Sequence, residues 1–244
     1  MENTKNTAVN FSIHSPQFGS ERKIWVHLPV GYNTNDFRYP VVYMNDGQHV
    51  FGRAEEKFSW IADERLKHDP VDAIIIGIEH GKNRIAEMTP FRNEEHGGGN
   101  ADVYLDFVIN TLKPYIDSHY RTLPESRNTG IFGSSIGGLL SFYAVLKHPY
   151  VFGSAVAFSP SFWFGEKIYT QVENTPEITG RIYLMAGDRE SHNTIPDLER
   201  MEQLALARIK DKSRLYKKIV HNGQHNEKLW RKEMIEALRW IIAG

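Results

Sequence analysis

The chain has 244 residues, of which 41% are hydrophobic and 24% are charged, with a formal net charge of −1. Because the charged residues are dispersed, the sequence lacks the basic patch expected for nucleic acid or an anionic membrane, and a small-molecule partner is predicted. Cysteine is absent, which excludes disulfides, a thiolate nucleophile and thiolate metal sites.

Eight short runs rich in β-branched and aromatic residues predict strands at residues 9–14, 23–28, 41–45, 73–78, 128–132, 154–158, 181–186 and 215–220. Helical periodicity predicts helices at residues 104–118, 138–147, 196–210 and 227–242. Alternating strands and helices predict a single α/β domain over residues 1–244, with a mostly parallel, three-layer sheet whose first two strands could form an antiparallel edge.

Two segments without a clear period are predicted to be functional loops, since long loops over a rigid sheet commonly line a site. They are residues 80–100, with three consecutive glycines, and residues 159–180, with a cluster of aromatic residues. The N-terminus lacks the basic and then apolar pattern of a signal peptide, and no apolar run is long enough to span a membrane. A soluble, cytoplasmic protein is expected, although a chain with its signal removed would look the same.

The sequence Gly-Ser-Ser-Ile-Gly at residues 133–137 lies between a predicted strand and a predicted helix. In a strand-to-helix elbow of this type, the central serine occupies a sharp turn and the outer glycines leave room for neighbouring backbone. Ser135 is therefore the candidate nucleophile. An ordinary glycine-rich turn is the alternative.

A serine nucleophile needs a base, normally a histidine whose second nitrogen is oriented by a carboxylate. His225 follows the last predicted strand and is the candidate base, with His221 as its nearest rival. The acid should follow the strand at 181–186, where Glu190 is preferred and Asp188 is the alternative.

The oxyanion of the reaction needs preorganised backbone N–H donors. One is predicted from Ile136, directly after the candidate nucleophile, and the other from Gln48, in the loop after the third strand. The spacing of His221 and His225 resembles that of a metal-binding pair, but Gly223 interrupts any helix there and no H-E-x-x-H glutamate is present, so no metal is assigned. No cofactor is expected.

Several segments together resemble the α/β-hydrolase superfamily and, more closely, the esterase family of siderophore (enterochelin-type) esterases, feruloyl esterases, S-formylglutathione hydrolases and mycolyltransferases. The segments are IWVHLP at 24–29 with Tyr32, VYMNDGQ at 42–48, LKPYI at 112–116, GSSIGG at 133–138, SPSFW at 159–163, and GQH at 223–225 with Trp230. The resemblance implies Ser135, His225 and Glu190 as nucleophile, base and acid, or a Ser-His dyad. Where many relatives have His-Gly, this chain has Asp46-Gly47.

Two further residues are candidates for substrate binding. Arg84 lies in a segment that looks like the siderophore-esterase branch and could pair with an anionic group, or it could form a structural ion pair with Glu87 or another loop carboxylate. Trp163 could form an aromatic wall for an acyl or aryl group, or could pack in the core.

Together these residues predict a serine carboxylic ester hydrolase that acts through an acyl-enzyme on a small-molecule ester of siderophore, aryl or short acyl type. An acyltransferase on the same fold is the first alternative, and a non-catalytic binding module is the second. The sequence gives no indication of the oligomeric state.

Overall fold

The computed structural model describes residues 8–243. Its strands lie close to the predicted positions, and they alternate with helices along most of the chain. The strands are β1 Val9–Ser15, β2 Ser20–His27, β3 Val41–Asn45, β4 Ile74–Ile78, β5 Thr129–Ser134, β6 Ser154–Phe158, β7 Arg181–Gly187 and β8 Leu215–Val220. The helices are α1 Gly47–Val50, α2 Ala62–His68, α3 Arg84–Met88, α4 Ala101–Phe107, α5 Lys113–His119, α6 Ile136–Lys147, α7 Lys167–Glu173, α8 Thr194–Arg208 and α9 Glu227–Ile242.

All eight strands form one sheet in the order β1-β2-β4-β3-β5-β6-β7-β8. Strands β3 to β8 run parallel, whereas β1 and β2 pair antiparallel and β2 pairs antiparallel with β4. The predicted mostly parallel sheet with an antiparallel edge is confirmed. Because β3, β5, β6, β7 and β8 point the same way, the loops that follow them meet along one edge of the sheet.

Helices cover both faces of the sheet, and successive side chains along a buried strand point alternately to these two faces. In β3, Val41 and Tyr43 face a core shared with α4, α5, α6 and α8. Val42 and Met44 face a second core shared with α2 and α9. Among residues 8–243, no helix is both long enough and apolar enough to span a lipid bilayer.

The helical segments differ from the sequence prediction in two ways. The helix predicted at 104–118 extends from Ala101 to His119 and contains a π-helical stretch, Val108–Leu112, between α4 and α5. Four short helices of four to seven residues, α1, α2, α3 and α7, were not predicted. Such segments are too short to show a clear hydrophobic period.

Candidate active site

Ser135 lies between the end of β5 and the start of α6, with φ 57° and ψ −121°. This backbone conformation is sparsely populated for a residue with a side chain, and it is sustained by close packing of the neighbouring turns. A Cβ on Gly133 would lie 2.3 Å from the carbonyl oxygen of Gly137, so the first glycine has no room for a side chain. The residues 133–137 therefore form the predicted strand-to-helix elbow.

The loops after β7 and β8 bring Glu190 and His225 to this elbow. The Nε2 atom of His225 lies 3.0 Å from the Oγ atom of Ser135. Its Nδ1 atom lies 2.8 Å from Oε2 of Glu190. A carboxylate only accepts hydrogen bonds, so Nδ1 carries the proton and the lone pair of Nε2 faces the serine hydroxyl.

The two partners of the serine differ in exposure. The Glu190 side chain is 0% exposed, whereas the His225 side chain is 42% exposed. The buried carboxylate also accepts a hydrogen bond from the backbone N–H of Gly187 at 2.8 Å. This arrangement keeps the acid away from water and leaves the imidazole open to a ligand.

The alternative acid, Asp188, pairs with a different histidine. Its carboxylate lies 2.8 Å from Nδ1 of His221 and accepts a hydrogen bond from the backbone of Asn222. The hydrogen bond from His221 is the main cause that lowers the pKa of Asp188. The structure therefore separates two carboxylate–histidine pairs, and only the pair of Glu190 and His225 reaches Ser135.

The predicted oxyanion donors both lie in the first turn of a helix. Ile136 is the first residue of α6 and Gln48 is the second residue of α1. N–H groups in a first helical turn lack an intrahelical acceptor and are available to an anion. The Gln48 side chain is bonded at both ends to the backbone of His80, at 3.2 and 3.3 Å, which holds the loop after β3 against the loop after β4.

Arg84 forms a bidentate ion pair with Asp46, at 2.6 and 2.7 Å. It also donates to the backbone carbonyl of Ser134 at 3.3 Å, within the elbow. Burial disfavours the charged guanidinium, but Asp46 outweighs this and raises the pKa of Arg84. The structural ion pair is thus observed, with Asp46 rather than Glu87, and a role of Arg84 in substrate binding stays a prediction.

Among the described residues, Asp46, His49 and His80 form a cluster with the spacing of metal ligands, their donor atoms within 4.8 Å of one another. Burial lowers the pKa of His49, which favours its neutral form. Both carboxylate oxygens of Asp46 are already bonded to Arg84, whose positive charge opposes a cation at this position. The donor set is therefore better explained as part of the ion pair than as a metal centre.

Trp163 is 54% exposed and stands edge-on to His96, with ring centroids 5.6 Å apart. It lines a cavity of about 210 Å³ together with His225. The Trp163 side chain is therefore outside the core, next to the candidate base. Its role toward a substrate stays a prediction.

Three polar or aromatic residues at the site were not given roles by the sequence analysis. Ser161 Oγ lies 3.3 Å from Ser135 Oγ. Ser159 Oγ lies 2.6 Å from Oε1 of Glu190, and Trp230 Nε1 lies 2.9 Å from Ser159 Oγ. Both serines and Trp230 occur in segments that carry the family resemblance, but one sequence alone gives no indication of these contacts.

The fold is of the α/β-hydrolase type, and comparison with known proteins identifies the family. The sequence model of the family described as "Putative esterase" matches residues 15–241, and the chain belongs to this family. Among curated proteins, it is 27% identical over 235 residues to the uncharacterized protein YbbA of Bacillus subtilis, covering 90% of this chain and 92% of that protein. It is 29% identical over 181 residues to the ferri-bacillibactin esterase BesA of Bacillus subtilis, covering 64% of this chain and 61% of that protein.

Solved structures show the same fold. The BES protein from Bacillus cereus superposes with a TM-score of 0.77 at 20% identity, covering 99% of this chain and 96% of that one. The enterobactin esterase from Shigella flexneri, solved in the presence of enterobactin, superposes with a TM-score of 0.78 at 19% identity, covering 96% of this chain and 58% of that one. The family and its relatives support a hydrolase that acts on esters.

Proposed function

We propose that the protein is a serine carboxylic ester hydrolase that acts through an acyl-enzyme on a small-molecule ester. The observation that carries this proposal is the hydrogen-bonded series from Ser135 through His225 to Glu190, with the serine on a strained elbow. The distances in this series support nucleophilic catalysis by Ser135 with His225 as its base.

In the proposed reaction, Nε2 of His225 takes the proton of Ser135 as Oγ attacks the ester carbonyl carbon. The resulting imidazolium is stabilised by the buried Glu190 carboxylate at 2.8 Å. The backbone N–H groups of Ile136 and Gln48 donate to the oxyanion, and His225 then protonates the leaving alcohol. Water attacks the acyl-enzyme with His225 again acting as base, and Ser135 is released.

The proposed substrate class is a siderophore-type ester, with aryl and short acyl esters as the alternatives. Relatives named as siderophore esterases include the siderophore triacetylfusarinine C esterase of Aspergillus fumigatus, 30% identical over 134 residues, and the siderophore enterobactin esterase of Emericella nidulans, 32% identical over 149 residues. The exposed ring of Trp163 beside the cavity at His225 offers a surface on which an aromatic group can stack. Ranking a trilactone siderophore, a feruloyl ester and a short acyl ester by kcat/KM tests this choice.

Hydrolysis of p-nitrophenyl butyrate at neutral pH tests the mechanism. We expect Ser135→Ala to lower kcat by about 10³-fold or more, as loss of a nucleophile does in this class of mechanism. Ser161→Ala is the matched control, because its hydroxyl lies 3.3 Å from that of Ser135, and kcat should remain within about tenfold of wild type. Equal turnover by wild type and Ser135→Ala would refute Ser135 as nucleophile.

The same mixture distinguishes hydrolysis from acyl transfer. Added alcohols compete with water for the acyl-enzyme, and the ratio of ester to acid products measures which acceptor is used. Hydrolysis predicts that butyric acid remains the main product at millimolar alcohol. A transferase would give mainly the new ester.

A further inference from the structure

Ser159 and Trp230 are buried beside the candidate acid, and they continue the hydrogen-bonded series beyond it. We propose that they are positioning residues for the esterase reaction: their hydrogen bonds orient the Glu190 carboxylate toward His225. This inference rests on the proposed function. Its evidence is a continuous series of contacts, from Trp230 Nε1 to Ser159 Oγ at 2.9 Å and from Ser159 Oγ to Glu190 Oε1 at 2.6 Å.

The chemistry of the end groups determines the direction of every hydrogen bond in this series. An indole N–H can only donate, and a carboxylate can only accept. The Ser159 hydroxyl must therefore accept from Trp230 and donate to Glu190. A serine hydroxyl is normally free to rotate, whereas here Trp230 fixes the direction in which the proton of Ser159 points.

The two oxygens of Glu190 are consequently assigned to different partners. Oε1 accepts from Ser159 and from the backbone N–H of Gly187, at 2.6 and 2.8 Å. Oε2 is left for Nδ1 of His225 at 2.8 Å. Because the Glu190 side chain is fully buried, its oxygens depend on these protein donors, and the carboxylate has one preferred orientation.

Trp230 contacts the candidate base directly and reaches the candidate acid through Ser159. Its N–H enters the series described above, and its ring stands edge-on to the His225 imidazole, with centroids 5.0 Å apart at 85°. Trp230 is 5% exposed and also packs against Trp60 in the core below α9. The helix that follows the histidine loop thus supports the imidazole ring and, through Ser159, the carboxylate.

The backbone of Ser159 suggests a suitable variant. This residue directly follows β6, is 2% exposed and has φ 44°, a conformation that glycine adopts without strain. Ser159→Gly therefore removes the hydroxyl without adding backbone strain, and Trp230→Phe removes the N–H while keeping an aromatic ring against His225. With p-nitrophenyl butyrate, each variant should lose about 10- to 100-fold in kcat with KM within about twofold of wild type.

Two control variants change the same elements at their far ends. Ser154→Ala lies at the start of β6 and is buried to a similar extent, and Trp240→Phe lies near the end of α9. Both should keep kcat within about twofold. A loss in the controls equal to that in Ser159→Gly and Trp230→Phe would indicate a general effect on packing and would overturn the proposal.

A double-variant measurement distinguishes positioning from simple structural support. If Ser159 acts through Glu190, adding Ser159→Gly to Glu190→Ala should lower kcat by less than about twofold further, because no carboxylate remains to be oriented. A further loss as large as that in the wild-type background would overturn the proposal. So would unchanged kcat in both Ser159→Gly and Trp230→Phe.

A spectroscopic readout keeps this inference separate from the proposed function. In proton NMR, the hydrogen-bonded Nδ1–H of His225 should give a downfield resonance that moves in Ser159→Gly and stays in place in Ser154→Ala. If wild type hydrolyses no ester, or Ser135→Ala retains full activity, the proposed function fails. The resonance of His225 still tests whether Ser159 and Trp230 orient Glu190. A resonance unaffected by Ser159→Gly and Trp230→Phe would overturn that role.

Discussion

The loops that carry the candidate acid and base touch through two glycines, and this contact gives a sharp test of the site geometry. Gly187 ends β7, and Gly223 lies two residues before His225. A Cβ on Gly187 would lie 2.3 Å from the carbonyl carbon and oxygen of Gly223, whereas ordinary contact begins at 3.4 Å. Gly187→Ala must therefore separate the two backbones by about 1.1 Å, the difference of these two distances.

This displacement should reach the catalytic pair directly. The N–H of Gly187 donates to Oε1 of Glu190, and the N–H of Arg189 donates to the carbonyl of Gly223 at 2.9 Å. A displacement of about 1 Å between reacting groups can lower a rate about 100-fold, so we expect Gly187→Ala to lower kcat by about this factor. Overpacking also costs about 1–3 kcal/mol, which lowers Tm by about 2–12 °C for a protein of this size.

Steady-state hydrolysis of p-nitrophenyl butyrate and differential scanning calorimetry measure both effects. Gly165→Ala is the matched control, since a Cβ there has nothing within 4 Å and its φ of 175° is ordinary extended backbone. Its kcat and Tm should equal those of wild type. Wild-type kcat in Gly187→Ala would refute the reasoning that links loop spacing to the pairing of Glu190 and His225.

Three other predictions concern charged groups. In steady-state kinetics, Glu190→Gln should lower kcat by about 10³- to 10⁴-fold, whereas Asp188→Asn should change kcat less than about threefold. The reverse order of effects would make Asp188 the acid. Arg84→Met removes the guanidinium partner of the buried Asp46 carboxylate and should cost about 3 kcal/mol in urea unfolding, partly recovered by adding Asp46→Asn. Equal stability of Arg84→Met and the double variant would contradict the ion pair. For Asp63, burial raises the carboxyl pKa, but hydrogen bonds from a histidine and a lysine outweigh this and lower it from 3.8 to about 2. A carboxyl whose pKa is lower in the folded state stabilises the protein above its unfolded pKa, and this stabilisation is lost as the pH falls toward 2. At pH 6, Asp63→Asn should therefore be about 1 kcal/mol less stable than wild type, after allowing for solvent screening. In urea unfolding this difference should shrink below pH 4. A difference independent of pH would contradict this account.

The sheet was predictable because its signal is local. Residues 41–45, 154–158 and 215–220 match the observed strands at both ends. A run of β-branched residues bounded by turn residues indicates a strand from only a few neighbouring positions in the sequence. The short helices α1 and α3 were not predictable, since their conformation depends on contacts made after folding, such as the bidentate pair between Arg84 and Asp46.

The candidate site was predictable where a residue follows a strand directly. Ser135, Glu190 and His225 could be located by their order along the chain, because the carboxyl ends of parallel strands meet at one edge. The contacts of Ser159 and Trp230 could not, since these residues are 71 positions apart and their hydrogen bond depends on how α9 packs under the sheet. Partners of this kind require the tertiary structure.

Backbone strain is concentrated at the same edge of the sheet. Among residues 8–243, five non-glycine residues have positive φ: Asp46, Ile61, Ser135, Ser159 and Asn222. Four of these lie just beyond β3, β5, β6 or β8, where the candidate catalytic groups converge. Each such residue costs about 1–2 kcal/mol, so the surrounding structure must stabilise it. At Ser135 and Ser159 the side chain is the group that contacts the proposed pair of base and acid, which explains why glycine, the unstrained choice, would not serve there.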